Sequence, residues 1–200
     1  MKRTCLMAVL LAALLLSGCG QKPVAAPQAK EETVTMAPAA DRNPTAEELS
    51  RAETADLVFM VEGTEESEPA TLYVGQGYSI YIPDEGWRLE KDVDDGVPEE
   101  VWESTVNDDV ELTVSHYAGK TFVEARDAFA RDCDYVFEDL MGGELGDPLT
   151  GMDDDGDFLS FMAAEGDGVI YVISWEYPAE AAEGFGARLA QIAGTFELMD

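Results

Sequence analysis

Asp153, Asp154, Asp155 and Asp157 crowd carboxylates onto one short stretch of chain. Carboxylate oxygens are hard ligands that suit calcium, so Asp153, Asp155 and Asp157 are candidate metal ligands. An EF-hand loop needs glycine at its sixth position and glutamate at its twelfth. Counted from Asp153, those positions hold Phe158 and Ala164; counted from Gly151, they hold Gly156 and Met162. Neither frame is an EF-hand, and Asp155-Gly156 equally supplies the backbone of an acidic hairpin turn. His116 is the only histidine, which excludes a histidine metal cluster and leaves general-base work as its possible chemistry. Cys133 as a nucleophile would need an electropositive setting, but its neighbours are Asp132 and Asp134. No serine sits in a Gly-x-Ser-x-Gly elbow, and no glycine-rich loop joins a strand to a helix. Carboxylate pairs are too common in a chain with 42 Asp+Glu to mark a glycosidase. Without a nucleophile, base and orienter together, no enzyme activity, catalytic residue or cofactor is expected.

Cys19 is the other residue with chemistry attached. Lys2 and Arg3 form a positive start, residues 6–16 are apolar, and Leu16-Ser17-Gly18-Cys19 follows. The apolar run is shorter than a spanning helix and sits where a signal peptide would. Leu16-Ser17-Gly18-Cys19 closely resembles the lipobox of bacterial lipoproteins. That resemblance implies a diacylglycerol on the Cys19 thiol, palmitate-type acyl chains, and cleavage that makes Cys19 the new N-terminus. Gly20 follows, where an aspartate would resemble an inner-membrane retention signal. The expected location is the extracytoplasmic face of the cell membrane, with the lipid on Cys19 as the membrane contact in the cell envelope.

The charge bounds the partners. Lys+Arg number 12 against 42 Asp+Glu, for a net charge of −30. Nucleic-acid binding needs clustered basic residues to displace counterions, and no cluster exists beyond the first residues. Anionic surfaces should repel the folded part, while a basic envelope protein, loosely held cations or plain solubility fit it. Yet 46% of residues are hydrophobic, so the chain is not an acidic disordered tail. Of the three cysteines, the lipobox resemblance implies that Cys5 leaves with the leader and that Cys19 carries lipid. Cys133 then has no intrachain partner, so stability must come from the core.

Three segments are expected: residues 1–18 as a lipoprotein signal peptide, 19–55 as a lipid-anchored flexible linker, and 56–200 as one folded domain. The linker is rich in Ala, Pro, Glu, Gln and Thr and has no apolar period. Thr45 with Glu48 is a candidate capping box for a short helix reaching about residue 54, either as a collar of the domain or as more linker.

In the domain, alternation predicts strands over residues 57–62, 70–74, 78–82 and from Trp87 to about 91. Residues 92–100 read as an acidic loop. Residues 101–106 and 110–117 form a hairpin, with Val110, Leu112 and Val114 inward. Thr121 and Glu124 cap a helix expected to run to about 141 and stop at Gly142-Gly143. Residues 147–152 suit an edge strand, and 157–164 with 169–177 a second hairpin. Residues 169–173 are apolar on both faces, which predicts a central strand covered on both sides. A last helix spans about 179–194, with Phe185, Leu189 and Ile192 as its apolar face.

This order makes the fold α+β, an antiparallel sheet with helices packed on it. The stretch Gly77-Tyr78-Ser79-Ile80-Tyr81-Ile82-Pro83, a short turn and Trp87 resemble the start of PsbP-like domains, which are α/β/α sandwiches. The resemblance covers residue 70 onward. It implies a binding or accessory role and carries over no active-site residue. The aromatics Tyr78, Tyr81, Trp87, Trp102 and Trp175 suit either a ligand groove or the core, with Tyr81 expected to be the most exposed. The function expected is a membrane-anchored extracytoplasmic lipoprotein with a non-catalytic protein-binding or accessory module. The alternative is a small-ligand or divalent-cation binder that uses the acidic turns.

Overall fold

The computed structural model describes residues 44–94, 96–137 and 142–199. The leader, Cys19, linker residues 19–43 and helix residues 138–141 lie outside the described residues. Among the described residues, no helix is long and apolar enough to cross a membrane.

Among the described residues, eleven strands and two α-helices follow one another as β1 (Thr54–Val61), β2 (Thr64–Val74), β3 (Tyr78–Pro83), β4 (Trp87–Asp94), β5 (Val97–Ser104), β6 (Glu111–Ala118), α1 (Phe122–Asp132), β7 (Tyr135–Val136), β8 (Leu149–Met152), β9 (Phe158–Gly166), β10 (Val169–Tyr177), α2 (Ala182–Ala193) and β11 (Glu197–Leu198). The strands make a four-stranded sheet, β1-β2-β3-β11, and a seven-stranded sheet, β4-β5-β6-β10-β9-β8-β7. All strand pairs are antiparallel, so the class is α+β, mostly antiparallel sheet with two helices.

The larger sheet is covered on both faces. One face packs Trp102, Leu112, Val114, Ile173 and Trp175 against Tyr78 and Ile80 of the smaller sheet and Leu189 and Ile192 of α2. The other packs Leu149, Phe161, Ile170 and Val172 under Ala125 and Phe129 of α1. β10 lies between β6 and β9, as its two-faced apolar run predicts.

Several local readings change. Residues 64–69 pair with β1 instead of forming a loose turn. Glu62 and Gly63 both have positive φ, 51° and 79°, the two-residue turn whose twist matches a hairpin. Residues 92–100 are not a loop: β4 and β5 pair out to Asp94 opposite Val97, and the chain turns at Gly96. Pro98 lies just beyond the last β5–β6 pair, where its missing N–H costs little.

The helix capped by Thr121 ends at Asp132 rather than continuing toward 141. Its capping box is present, with Glu124 N–H donating to Thr121 Oγ1 at 3.3 Å and Thr121 N–H to Glu124 Oε2 at 2.9 Å. Cys133 is extended, and Tyr135-Val136 pairs with β8. An aromatic and a β-branched residue suit that strand better than another helical turn. β7, not β8, is therefore the outer strand.

Residues 46–50 form a turn in place of the expected short helix. Residues 51–55, read from composition as linker, belong to the folded unit. Arg51 donates to Ser79 Oγ at 2.8 Å and to the Thr195 carbonyl at 2.8 Å. Its guanidinium lies 4.7 Å from the centre of the Tyr81 ring, and the Tyr81 hydroxyl donates to the Ala52 carbonyl. Tyr81 is thus half-buried, and β11, which no alternation predicts, closes the smaller sheet beside β3.

Candidate functional site

A groove of about 400 Å³ runs between α1 and the larger sheet. Asp94, Glu99, Glu111, Asp132 and Glu176 line it, with Lys120 as its basic lining residue. The strand register explains the crowding. Glu103 of β5 lies opposite Glu111 of β6, which lies opposite Glu176 of β10, so the three carboxylates form a row across one sheet face. Directly opposed residues in an antiparallel pair sit about 5 Å apart at Cβ, close enough for like charges to repel.

Hydroxyls soften part of this. Ser115 Oγ donates to Glu99 Oε1 at 2.7 Å, and Thr113 Oγ1 to Glu111 Oε1 at 3.4 Å. Burial in the groove, then the charge of Glu111 and of Asp157, push the Glu176 carboxyl up to about 7. Burial, then Glu103 and Glu99, also raise Glu111, although Thr113 opposes them. The Glu176 residue keeps part of its surface open to solvent, so water screens some of this repulsion.

A carboxyl whose folded pKa lies above its unfolded value binds its proton more tightly in the folded state. Glu176 therefore destabilises the fold as pH rises through the window from about 4.5 to about 7. The melting temperature is expected to rise as pH falls from 8 toward 5. Glu176→Gln should flatten that slope and stabilise the protein at pH 8 by about 1–2 kcal/mol after solvent screening. A flat wild-type profile between those pH values would remove this account of the row.

The Asp153 turn is built differently. Asp153 Oδ1 accepts the backbone N–H groups of Asp155, Gly156 and Asp157 at 3.1, 2.9 and 2.9 Å. Ligand atoms of Asp153, Asp154 and Asp155 lie within 4.8 Å of one another. Asp157 is not in that group, and Asp154, which was not among the expected ligands, takes its place. One oxygen of Asp153 already stitches the turn, so this carboxylate serves the backbone first.

Cys133 is a free, half-buried thiol. Burial, then Asp132 and Asp153, push it up, which leaves little thiolate at neutral pH. Its sulfur packs against Gly151, where any side chain would collide with it.

His116 sits on the core face of β6, with its side chain 10% exposed. Its Nε2 lies 2.9 Å from Glu100 Oε2, off the N–H direction, so no straight hydrogen bond joins them. Glu100 also accepts the Tyr78 hydroxyl at 3.2 Å, the Tyr73 hydroxyl at 3.4 Å and Lys91 Nζ at 3.2 Å. Burial alone would raise Glu100; His116 and Lys91 outweigh it and hold the carboxyl below its usual value. Burial, then the charge of Glu100, pushes the Tyr78 hydroxyl far up, so it stays a donor.

Another groove, about 810 Å³, is walled by Pro69, Pro83, Trp87 and Phe185. Trp87 and Phe185 meet edge to face at 6.5 Å. Its Arg188 is tied to Glu66 and Glu68 and lies over Phe59. Of the five aromatics, Trp87 lines this groove, while Tyr78, Trp102 and Trp175 are core residues.

Sequence reasoning did not single out Glu99, Glu100, Glu111 or Glu176 as site residues. The available signal was their place on strands, because a polar residue on a two-sided sheet must face some covering element.

No protein-family model and no curated protein matches the chain. Among solved structures, it is similar to cyanobacterial PsbP (CyanoP) from Synechocystis sp. PCC 6803, in solution, with 15% identity and a TM-score of 0.45, over 65% of this chain and 92% of that one. It is also similar to a crystal structure from Bacteroides thetaiotaomicron VPI-5482, with 11% identity and a TM-score of 0.40, over 64% of this chain and 48% of that one. At these values neither likeness carries anything about function.

Proposed function

We propose that the chain is a lipid-anchored extracytoplasmic binding module, without catalytic chemistry, whose acidic groove receives a basic segment of an envelope protein. The observation that carries the binding half is the groove between α1 and the larger sheet, lined by Asp94, Glu99, Glu111, Asp132 and Glu176. A site that gathers this much like charge is destabilised while empty. A cationic occupant relieves that repulsion and so binds favourably. The anchoring half rests on Lys2, Arg3, the apolar run and Leu16-Ser17-Gly18-Cys19.

A second reading keeps the groove or the Asp153 turn for a divalent cation, favoured by the close approach of Asp153, Asp154 and Asp155. One titration separates the two. The full-length chain should bind a lysine-rich peptide in low salt, and Glu111→Gln with Glu176→Gln should weaken it about tenfold. Millimolar calcium should leave the melting temperature unchanged. A calcium-dependent rise that survives the groove substitutions but not Asp153→Asn would favour the cation reading. Peptide binding indifferent to Glu111 and Glu176 would remove the groove from the proposal.

A further inference from the structure

β1 ends the smaller sheet, and its outer edge is unpaired among the described residues. The hairpin to β2 fixes which backbone groups lie there. Glu62-Gly63 is a two-residue turn, so Val61 and Thr64 exchange both hydrogen bonds across it. Residues bonded to β2 and residues turned away from it then alternate along the strand. Ala55, Leu57, Phe59 and Val61 bond to β2. Leu72 N–H donates to the Glu53 carbonyl at 2.9 Å, which continues the same alternation past the start of the strand. Thr54, Asp56, Val58 and Met60 therefore turn their N–H and C=O groups to the free edge, and all four are exposed.

This edge is unlike the other three that the two sheets present among the described residues. β7 and β11 are each two residues long. β4 is as long as β1 but carries Arg88, Glu90, Lys91, Asp92 and Asp94, and charges of this kind protect a sheet edge from further pairing. β1 has eight residues in unbroken register with β2, no proline, and Asp56 as its one charged residue. Val58 and Met60, on its solvent face, are 45% and 59% exposed. Leu57 and Phe59 point the other way, into the core that α2 helps to close.

Such an edge accepts an extended strand, and the charge beside it selects which kind. Asp56 and Glu62 stand two residues to either side of the Val58–Met60 pair, and Glu65 of β2 lies opposite Met60. A second copy would bring the same carboxylates and a further net charge of −30. A strand with two apolar residues between basic ones matches both the apolar pair and its acidic flanks. We propose that the free edge of β1 is a docking site for such a basic, extended segment of a partner protein, which adds to the smaller sheet as a fifth strand. The site is independent of the acidic groove, which lies between α1 and the larger sheet.

The probe is the peptide Lys-Thr-Val-Thr-Val-Thr-Lys, whose lysines and valines share one face at the two-residue steps of Asp56, Val58, Met60 and Glu62. In the full-length chain alone, the amide protons of Asp56, Val58 and Met60 should exchange quickly with solvent, and those of Leu57 and Phe59 slowly. Saturating peptide should slow the first three by at least about tenfold. The acidic groove contains none of these amides, so peptide bound there leaves them fast. The same peptide with every backbone N–H methylated should bind at least about tenfold more weakly, as should one with glutamates for lysines. Met60→Lys changes an exposed residue and should weaken the peptide about tenfold without lowering the melting temperature. Amides of Asp56, Val58 and Met60 that stay fast with peptide would overturn the proposal, as would full affinity in Met60→Lys or for the methylated peptide. Slow exchange of these amides before peptide is added would place another part of the chain, or a second copy, on the edge and overturn it too.

Discussion

Cys19→Ala is expected to abolish incorporation of labelled fatty acid into the chain, while the wild-type protein is labelled and sediments with membranes. The thiol is the atom that would be acylated, and no neighbouring side chain can replace it: Gly18 and Gly20 flank it, and Ser17 offers only a hydroxyl. The energetic consequence is large because each buried methylene contributes about 0.8 kcal/mol, and stable anchoring takes two chains rather than one. The strongly acidic domain adds no electrostatic attachment to an anionic leaflet, so loss of the lipid is not offset elsewhere. Mass spectrometry of the wild-type N-terminus should find Cys19 first. Wild-type protein that carries no lipid, or a Cys19→Ala variant that still carries it, would end the anchoring reading and leave the groove readings untouched.

Glu100→Ala is expected to be among the most destabilising single substitutions in the domain, at about 3–5 kcal/mol. Glu100 is 7% exposed, and its two oxygens serve Tyr73, Tyr78, Lys91 and His116 together. Truncation leaves the buried Tyr78 hydroxyl and the His116 Nε2 facing a void, and each must be neutralised or solvated. Glu100→Gln keeps most of the volume and one acceptor, so it should cost less, about 1–3 kcal/mol. Urea unfolding of the three proteins at neutral pH reads the order directly. If Glu100→Ala unfolds at the wild-type urea midpoint, the cluster does not hold the two sheets together.

The pH behaviour follows from both clusters and has opposite signs in them. Glu176, with its carboxyl pushed up to about 7, favours the folded state below that pH. Glu100, held below its usual value, contributes stability above the ordinary carboxylate range and loses it as pH falls through its lowered folded value. The two windows do not overlap. The expected profile therefore rises from pH 8 toward about 5 and then falls as Glu100 takes up its proton.

Much of the scaffold is readable along the chain because its signals are short-range. The Thr121–Glu124 box starts α1 because both partners lie within one helical turn. The apolar run from 169 to 173 announces a strand covered on both faces, and β10 lies at the centre of the larger sheet. The errors have local causes too. Phe129, Cys133, Val136 and Phe137 continue a helical spacing past Asp132, but extended Cys133 and the pairing of Tyr135-Val136 with β8 win over it. Spacing in sequence cannot register a partner strand that arrives later in the chain.

The sequence by itself determined the element types, most hairpin turns, the acidic balance and the lipobox resemblance at Cys19, each a property of neighbouring residues. Tertiary structure alone decided which charges meet. Glu103, Glu111 and Glu176 come from three strands and become one row only through register. Glu100 and His116 become partners only when β5 and β6 pair and Tyr78 arrives from the other sheet. Electrostatic character depends on distance and burial, and both are set by contacts between residues far apart in the chain.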